Sequence, residues 1–143
     1  MAYMCMGCGE VYSWDMEVCP KASCEGDVVW IDELMIPIIK LLREKGYITE
    51  YCCSGHVYGN GCGAYVCLDD FMTEVLEDGE INQIKNNLPE MWTMEIDHLN
   101  RITFRHNIAY CYESEYDIQK YEDIVIANLA FLKFVAQLPW LEY

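Results

Sequence analysis

The chain has 143 residues, 53% apolar and 23% charged, which suits one globular domain, or a small module joined to a domain of about 110 residues. Its formal net charge is −15, and its nine basic residues are scattered along the chain. Binding to a nucleic-acid backbone needs a clustered basic surface, so free nucleic acid is not an expected partner. An acidic surface instead favours a basic protein partner or a cationic ligand.

The first residues, MAYMCMGCGEVY, contain neither a basic segment nor an apolar run of signal-peptide length. No window of the sequence approaches the uninterrupted apolar length of a membrane span. The nine cysteines, without a secretion signal, indicate metal or thiol chemistry in a reducing compartment and not disulfides. These features predict a cytoplasmic protein without a membrane segment.

Two cysteine pairs lie close together near the N-terminus. Cys5 and Cys8 form a CxxC pair followed by glycine, and Cys19 and Cys24 form a second pair with four residues between them. Such pairs are typical of a zinc ribbon, in which two turns direct four thiolates toward one tetrahedral ion. Four thiolates leave no open coordination position, so the zinc is expected to be structural. The sequence therefore predicts a zinc ribbon over residues 1–27.

The glycines and the apolar content of this segment bear on the same prediction. Gly7, Gly9 and Gly26 are expected to take the positive φ that tight metal-binding turns need. The alternative is that the cysteines are buried free thiols. It is disfavoured because residues 1–27 hold too few large apolar side chains to fold without a metal.

Residues 28–143 predict an α+β domain, in which a small antiparallel or mixed sheet is covered by helices. The expected elements are a strand at 28–31, a helix from Asp32 or Ile36 to Gly46, strands at 47–53 and 64–68, short helices at 70–76 and 80–87, a hairpin at 92–105 and a helix at 116–137.

The hairpin and the last helix can be specified further. A loop of residues 98–100 pairs Ile96 with Ile102 and Met94 with Phe104, and it ends on an asparagine, which suits a left-handed position. The last helix is expected to bury an apolar stripe. The residues of that predicted stripe are Ile118, Tyr121, Ile124, Val125, Leu129, Leu132 and Val135.

The stretch YCCSGHVYGNGC, residues 51–62, combines three cysteines, a serine and a histidine in one turn. If the turn is symmetric, Cys52 lies opposite Tyr65 and Cys53 opposite Ala64. Cys52 and Cys67 then share one face of the sheet.

Three interpretations of this turn remain open. In the first, Cys53, His56 and Cys62, with or without Cys67, bind a second zinc. In the second, Cys53 or Ser54 is a nucleophile or ligand-binding group, and His56 acts as acid, base or hydrogen-bond donor. In the third, the strand cysteines are core residues and the histidine is merely exposed.

The segment TEYCCSGH, residues 49–56, resembles the T-x-S-S-C-S-G-R segment of the wybutosine-synthesising tRNA methyltransferase family, whose members use S-adenosylmethionine. Thr49, Cys53, Ser54 and Gly55 match this pattern, and His56 stands where that family has arginine. The stretch KGYITEYCCSGH also resembles uncharacterised small zinc-ribbon proteins of Gram-positive bacteria and their phages. The resemblance implies an α/β pocket around Cys53–His56 with S-adenosylmethionine as a ligand. It does not carry over the tRNA substrate.

Three polar residues of the hairpin are further candidates. His98 and Arg101 are either ligand-binding groups or parts of a solvated turn in which Asp97 and Arg101 form an ion pair. His106 lies opposite Trp92 at the end of the apolar face, where a hydrogen-bonded core-edge histidine is expected.

Two classes of function follow from these features. The first is a small-ligand-binding protein, nucleotide-related or enzymatic, whose site residues are catalytic Cys53, Ser54 and His56 and ligand-binding Thr49, Gly55, His98 and Arg101. The alternative is an acidic interaction protein, such as a phage-type inhibitor of a basic host protein. Residues 69–95, with eight acidic residues and one lysine, would be its contact surface.

Overall fold

The computed structural model describes residues 2–53, 64–106 and 118–143, which form two antiparallel sheets and four α-helices. The predicted α+β class is confirmed. A 3-10 turn, Glu33–Met35, precedes the first α-helix. In chain order the elements are β1 (Ala2–Cys5), β2 (Val11–Tyr12), β3 (Val28–Ile31), α1 (Ile36–Glu44), β4 (Thr49–Cys53), β5 (Tyr65–Leu68), α2 (Phe71–Val75), α3 (Asp78–Asn86), β6 (Thr93–Ile96), β7 (Ile102–Arg105) and α4 (Ile118–Gln137).

The N-terminal sheet contains three strands in the order β2-β1-β3. The predicted strand at 28–31 is β3. It pairs antiparallel with β1, from Ala2 opposite Ile31 to Cys5 opposite Val28. The segment expected to form the ribbon therefore shares a sheet with the residues that follow it.

The main sheet contains four antiparallel strands in the order β4-β5-β7-β6. The predicted hairpin register is confirmed, because Ile96 pairs with Ile102 and Met94 with Phe104. Asn100 takes the left-handed conformation at φ 63, as its place at the end of the loop requires.

The register between β4 and β5 differs by one residue from the predicted one. Cys52 lies opposite Val66 and not opposite Tyr65, so Cys52 and Cys67 point to opposite faces of the sheet. An irregularity between residues 49 and 51 shifts the pairing, which a symmetric hairpin did not allow for. Val66 and Leu68 are buried in the core, and Cys52, opposite Val66, packs against the same core.

One apolar core joins the two sheets and the helices. Ala2 and Met4 from β1 and Ile31 from β3 belong to the same buried cluster as Leu42 of α1 and Phe131 of α4. The N-terminal sheet therefore contributes side chains to the core that it shares with the helices.

The buried face of α4 differs from the predicted stripe. Tyr121 and Leu129 are 47% and 54% exposed. Asn128, a polar residue, is buried at 3% exposure, and its position on the inner face concealed the true periodicity. The apolar residues that are buried are Ile124, Ala127, Phe131, Phe134, Val135 and Leu138.

The C-terminal end of α4 is capped by side chains from the segment after α1. The buried Lys45 donates through Nζ to the carbonyl oxygens of Ala136 and Leu138, both at 2.7 Å. The hydroxyl of Tyr47 donates to the Pro139 oxygen at 3.0 Å. The last carbonyl groups of a helix have no partner within it, so these bonds stabilise the end of α4.

His106 is a core residue, as expected. Its ring lies 4.7 Å from that of Trp92 at an interplanar angle of 88°, and its amide donates to the Ala64 oxygen at 3.0 Å. Burial lowers the pKa of His106 to about 4, although a hydrogen bond with Asn128 acts in the opposite direction.

This depressed pKa predicts a loss of stability on acidification. Between the ordinary pKa of 6.5 and about 4, the unfolded chain binds a proton on His106 that the folded chain does not. On acidification from neutral pH to a pH just above the folded pKa, the wild type should lose about 2–3 kcal/mol more unfolding free energy than His106→Gln. Urea unfolding at the two pH values measures the difference, with exposed His98→Gln as the control. Equal losses in wild type and His106→Gln would contradict the prediction.

Candidate metal centre

The four cysteines of the two N-terminal pairs lie together. The sulfur atoms of Cys5, Cys8, Cys19 and Cys24 are all within 4.8 Å of one another. The Cys5–Cys24 sulfur distance is 3.5 Å and the Cys8–Cys19 distance is 3.8 Å. A tetrahedral ion with metal–sulfur bonds of about 2.3 Å requires sulfur–sulfur distances of about 3.8 Å. The cluster could therefore hold one metal ion, and the four predicted ligands are the residues that form it.

The first turn directs backbone amides at the Cys5 sulfur. Cys5 is buried at the end of β1, and the amides of Gly7 and Cys8 donate to its Sγ at 3.3 and 3.4 Å. Burial alone would raise the pKa of Cys5, but these amides, together with the neighbouring thiols, lower it to about 7. The turn thus stabilises the thiolate form that a metal ion requires.

The second turn gives its two thiols different environments. The Tyr12 hydroxyl lies 3.3 Å from the Cys19 sulfur and lowers the pKa of that thiol. The Gly26 amide lowers the pKa of Cys24. The hydrogen bond between the Cys24 and Cys5 thiols and the burial of Cys24 have the larger combined effect, and they raise that pKa to about 11. Without a metal, the cluster therefore retains protons, which a binding ion would displace.

The glycines of the two turns have roles that differ from the predicted ones. Of the three predicted positions, Gly9 has a positive φ, at 80°, while the left-handed residue of the second turn is Glu25, at φ 52. Gly26 is required by lack of space, because an added Cβ would lie 2.8 Å from the Cys5 sulfur and 2.9 Å from the Gly7 nitrogen. The two turns pack too closely for any side chain at this position.

A basic residue of α1 adjoins the first turn. The guanidinium of Arg43 donates to the carbonyl oxygen of Met6, which lies between the first two ligands. Burial lowers the pKa of Arg43, and the negative charge of Cys5 opposes this effect. A half-buried cation beside the thiolates favours their ionised form. Sequence reasoning missed this contact because the two residues are 37 positions apart.

The second candidate site is described only at its edge. Cys53 ends β4, whereas Ser54, Gly55, His56 and Cys62 lie outside the described residues. The second-zinc and nucleophile interpretations of this turn therefore remain predictions.

Thr49, the predicted ligand-binding residue on β4, lies beside a cavity. It is 6% exposed, and its hydroxyl oxygen has no hydrogen-bond partner in the described part of the chain. The cavity has a volume of about 180 Å³ and lies between the edge strands β3 and β4. Its wall consists of Met6, Val29, Trp30, Ile31, Ile39, Thr49, Glu50, Cys52 and Tyr65.

The other two predicted ligand-binding residues lie in the β6–β7 turn. His98 is exposed. Arg101 donates through Nε to Asp97 at 3.0 Å and forms a longer ion pair with Glu50 at 3.5 Å. The expected ion pair with Asp97 is present, and the contact with Glu50 brings Arg101 next to the strand that carries Thr49. The ligand-binding role of the two residues stays a prediction.

The acidic segment 69–95 presents most of its carboxylates to solvent. Asp69 and Glu80 are half-buried, and Asp69 accepts a hydrogen bond from the Phe71 amide at 3.0 Å. Glu95 pairs with Arg105 at 2.8 Å. The exposed acidic residues of the segment are Asp70, Glu74, Glu77, Asp78, Glu90 and Glu95.

No family model, curated protein or solved structure matches the chain. Over residues 2–53, 64–106 and 118–143, no helix has both the length and the apolar character needed to cross a membrane. The function has therefore to be inferred from the chemistry of the sites themselves.

The crowding at Gly26 predicts a selective loss of metal affinity. In Gly26→Ala, the new methyl group would push the second turn away from the Cys5 sulfur, at an overpacking cost of about 2 kcal/mol. Zn²⁺ affinity should fall by about 30-fold, as measured by competition with a chromogenic chelator. Gly79→Ala is the matched control, because an added Cβ at Gly79 meets nothing within 4 Å. Unchanged affinity in Gly26→Ala would contradict the close packing of the two turns.

Proposed function

We propose that the chain is a small zinc protein in which Cys5, Cys8, Cys19 and Cys24 hold one structural Zn²⁺. The observation that carries this proposal is that the four sulfur atoms lie within 4.8 Å of one another. Thiolates also bind iron and copper(I), but zinc is the common ion in closed four-cysteine sites with short loops. Four protein ligands leave no position for a substrate, so the ion acts on the fold and not on a reaction.

The structural role is supported by what the two turns connect. Cys5 ends β1, and the second pair lies between β2 and β3. An ion bound by both pairs would therefore hold together the short strands of the N-terminal sheet. Two of these strands contribute Ala2, Met4 and Ile31 to the shared core.

Metal content per chain tests this proposal in protein purified without added metal. The wild type should contain one zinc, which Cys5→Ser/Cys8→Ser should lose and Cys53→Ser/His56→Ala should keep. Two zincs, one of them lost from the second variant, would place a second metal site at the turn after β4. Iron, or no metal, in the wild type would contradict the zinc assignment.

A second candidate function is the binding of a small ligand at the cavity beside Thr49. Its support is the buried Thr49 hydroxyl without a hydrogen-bond partner among the described residues. An unpaired buried hydroxyl is unfavourable by about 1–3 kcal/mol, which a ligand atom could recover. Cys53, Ser54 and His56 enter this proposal through the sequence resemblance, as groups that would contact the ligand.

The size of the cavity limits that ligand. Its volume of about 180 Å³ is smaller than the pockets of about 300–1,000 Å³ that enclose whole drug-sized ligands. It would hold one ring-sized part of a nucleotide or of S-adenosylmethionine, with the Trp30 and Tyr65 rings in the wall.

Thr49→Val separates a ligand-binding hydroxyl from a structural one. The substitution removes an oxygen without a partner, so stability should be unchanged or slightly raised. Affinity for S-adenosylmethionine or adenosine, followed through tryptophan fluorescence, should fall by about tenfold. Thr93→Val, an exposed threonine on β6, is the control. Wild-type protein that binds neither compound, or equal binding by Thr49→Val, would overturn this second candidate.

A further inference from the structure

A larger cleft lies at the opposite end of β4. It has a volume of about 370 Å³ and runs between α3 and the C-terminal end of α4, with Tyr47 between them. Cys53 lies six positions after Tyr47, about 20 Å along an extended strand, so the cleft is distinct from the predicted site after β4. The residues that line it are Tyr47, Glu80, Gln83, Ile84, Asn87, Phe134, Gln137, Leu138 and Pro139.

The floor of the cleft is apolar and held in place. Tyr47, Ile84, Phe134 and Leu138 are 1%, 6%, 6% and 7% exposed. The Tyr47 hydroxyl is bound to the Pro139 oxygen. The Phe134 ring packs against Phe131 at a centroid distance of 5.4 Å. Two aromatic side chains are therefore oriented before any ligand arrives, which lowers the entropic cost of binding.

The rim of the cleft is polar, and its ionic group among the described residues is Glu80. Glu80 and Gln83 lie one turn apart on α3, Asn87 follows at the C-cap of that helix, and Gln137 lies across from them on α4. Glu80 accepts the Glu77 amide at 3.3 Å through Oε1, as half of a capping box. Among the described residues that line the cleft there is no lysine or arginine.

The charge of Glu80 acts on the floor of the cleft. Burial, and then the negative charge of Glu80, raise the pKa of Tyr47 to about 12. Tyr47 therefore stays neutral, and Glu80 is the charge that a ligand in the cleft would meet.

These features select one ligand chemistry. A carboxylate and amide oxygens at the rim accept hydrogen bonds from an ammonium group, and aromatic rings in the wall attract a cation. The exposed acidic residues of 69–95 and the net charge of −15 raise the local concentration of cations and repel anions. We infer that the cleft binds a small organic cation with a flat apolar body, its ammonium group paired with Glu80 and its body against Tyr47 and Phe134.

Tryptamine and indole-3-propionate are matched probes, because they share the indole ring and differ in charge. Binding to the zinc-loaded protein can be followed by NMR through the side-chain amides of Gln83, Asn87 and Gln137. Tryptamine should bind about tenfold or more tightly than indole-3-propionate and should shift these three amides.

Glu80→Gln tests the ion pair without removing the helix cap, because glutamine also fills this position of a capping box. Tryptamine affinity should fall about fivefold or more, while Glu74→Gln, a surface control outside the cleft, should not change it. Gln83→Trp, which fills the cleft, should abolish the shifts. Equal binding of the two probes, unchanged affinity in Glu80→Gln, or shifts only at residues outside the cleft would overturn the inference. None of these outcomes depends on the site beside Thr49.

Discussion

Four thiols that lie within 4.8 Å of one another join the two turns of the N-terminal sheet. The N-terminal sheet is built from strands of four, two and four residues, which are too short to be stable alone in water. Each pair of cysteines lies at the end of one of these strands or between two of them. An ion that holds the sulfur atoms together would fix the positions of the strands relative to one another. The sheet in turn places Ala2, Met4 and Ile31 in the core shared with α1 and α4.

The C-terminal end of α1 connects this centre to the other elements. Arg43 donates to the Met6 oxygen in the turn between Cys5 and Cys8, and Lys45 donates to the oxygens of Ala136 and Leu138 at the end of α4. The half-buried Arg43 and the buried Lys45 therefore connect the C-terminal end of α1 to the four-thiol cluster and to α4. In a chain with nine basic residues against 24 acidic ones, these two have structural positions, which leaves the surface still more acidic.

The parts of the fold that were predicted correctly are those set by local patterns. The strict alternation of apolar and polar residues, together with an asparagine at the left-handed position, determines the register of the β6–β7 hairpin. Cysteine spacing alone was enough to identify the four residues of the four-thiol cluster. The β4–β5 register was wrong because it depends on a strand irregularity that has no sequence signature. The buried face of α4 was wrong in part because Asn128 is polar and buried.

In the candidate sites, too, local sequence patterns were predicted correctly and contacts between distant elements were missed. The need for glycine at position 26 was predicted, but its reason was not, because the crowding involves Cys5 and Gly7, distant in sequence. Arg43 beside the cluster and the cleft around Glu80 were missed, since both arise from contacts between elements far apart in the chain. The polar residues that α3 and its C-cap contribute to the cleft, Glu80, Gln83 and Asn87, have the sequence pattern of an ordinary solvated surface.

We expect the four-thiol cluster, with its metal bound, to support the whole core and not only the N-terminal sheet. Amide hydrogen exchange at Phe131 and Val135 of α4 tests this expectation. It is measured with zinc bound and again after chelation. Chelation should lower the protection of both amides by about tenfold or more, because the core that α4 shares with β1 and β3 would lose the side chains of the N-terminal sheet. Unchanged protection in α4, with faster exchange confined to the N-terminal sheet, would contradict it.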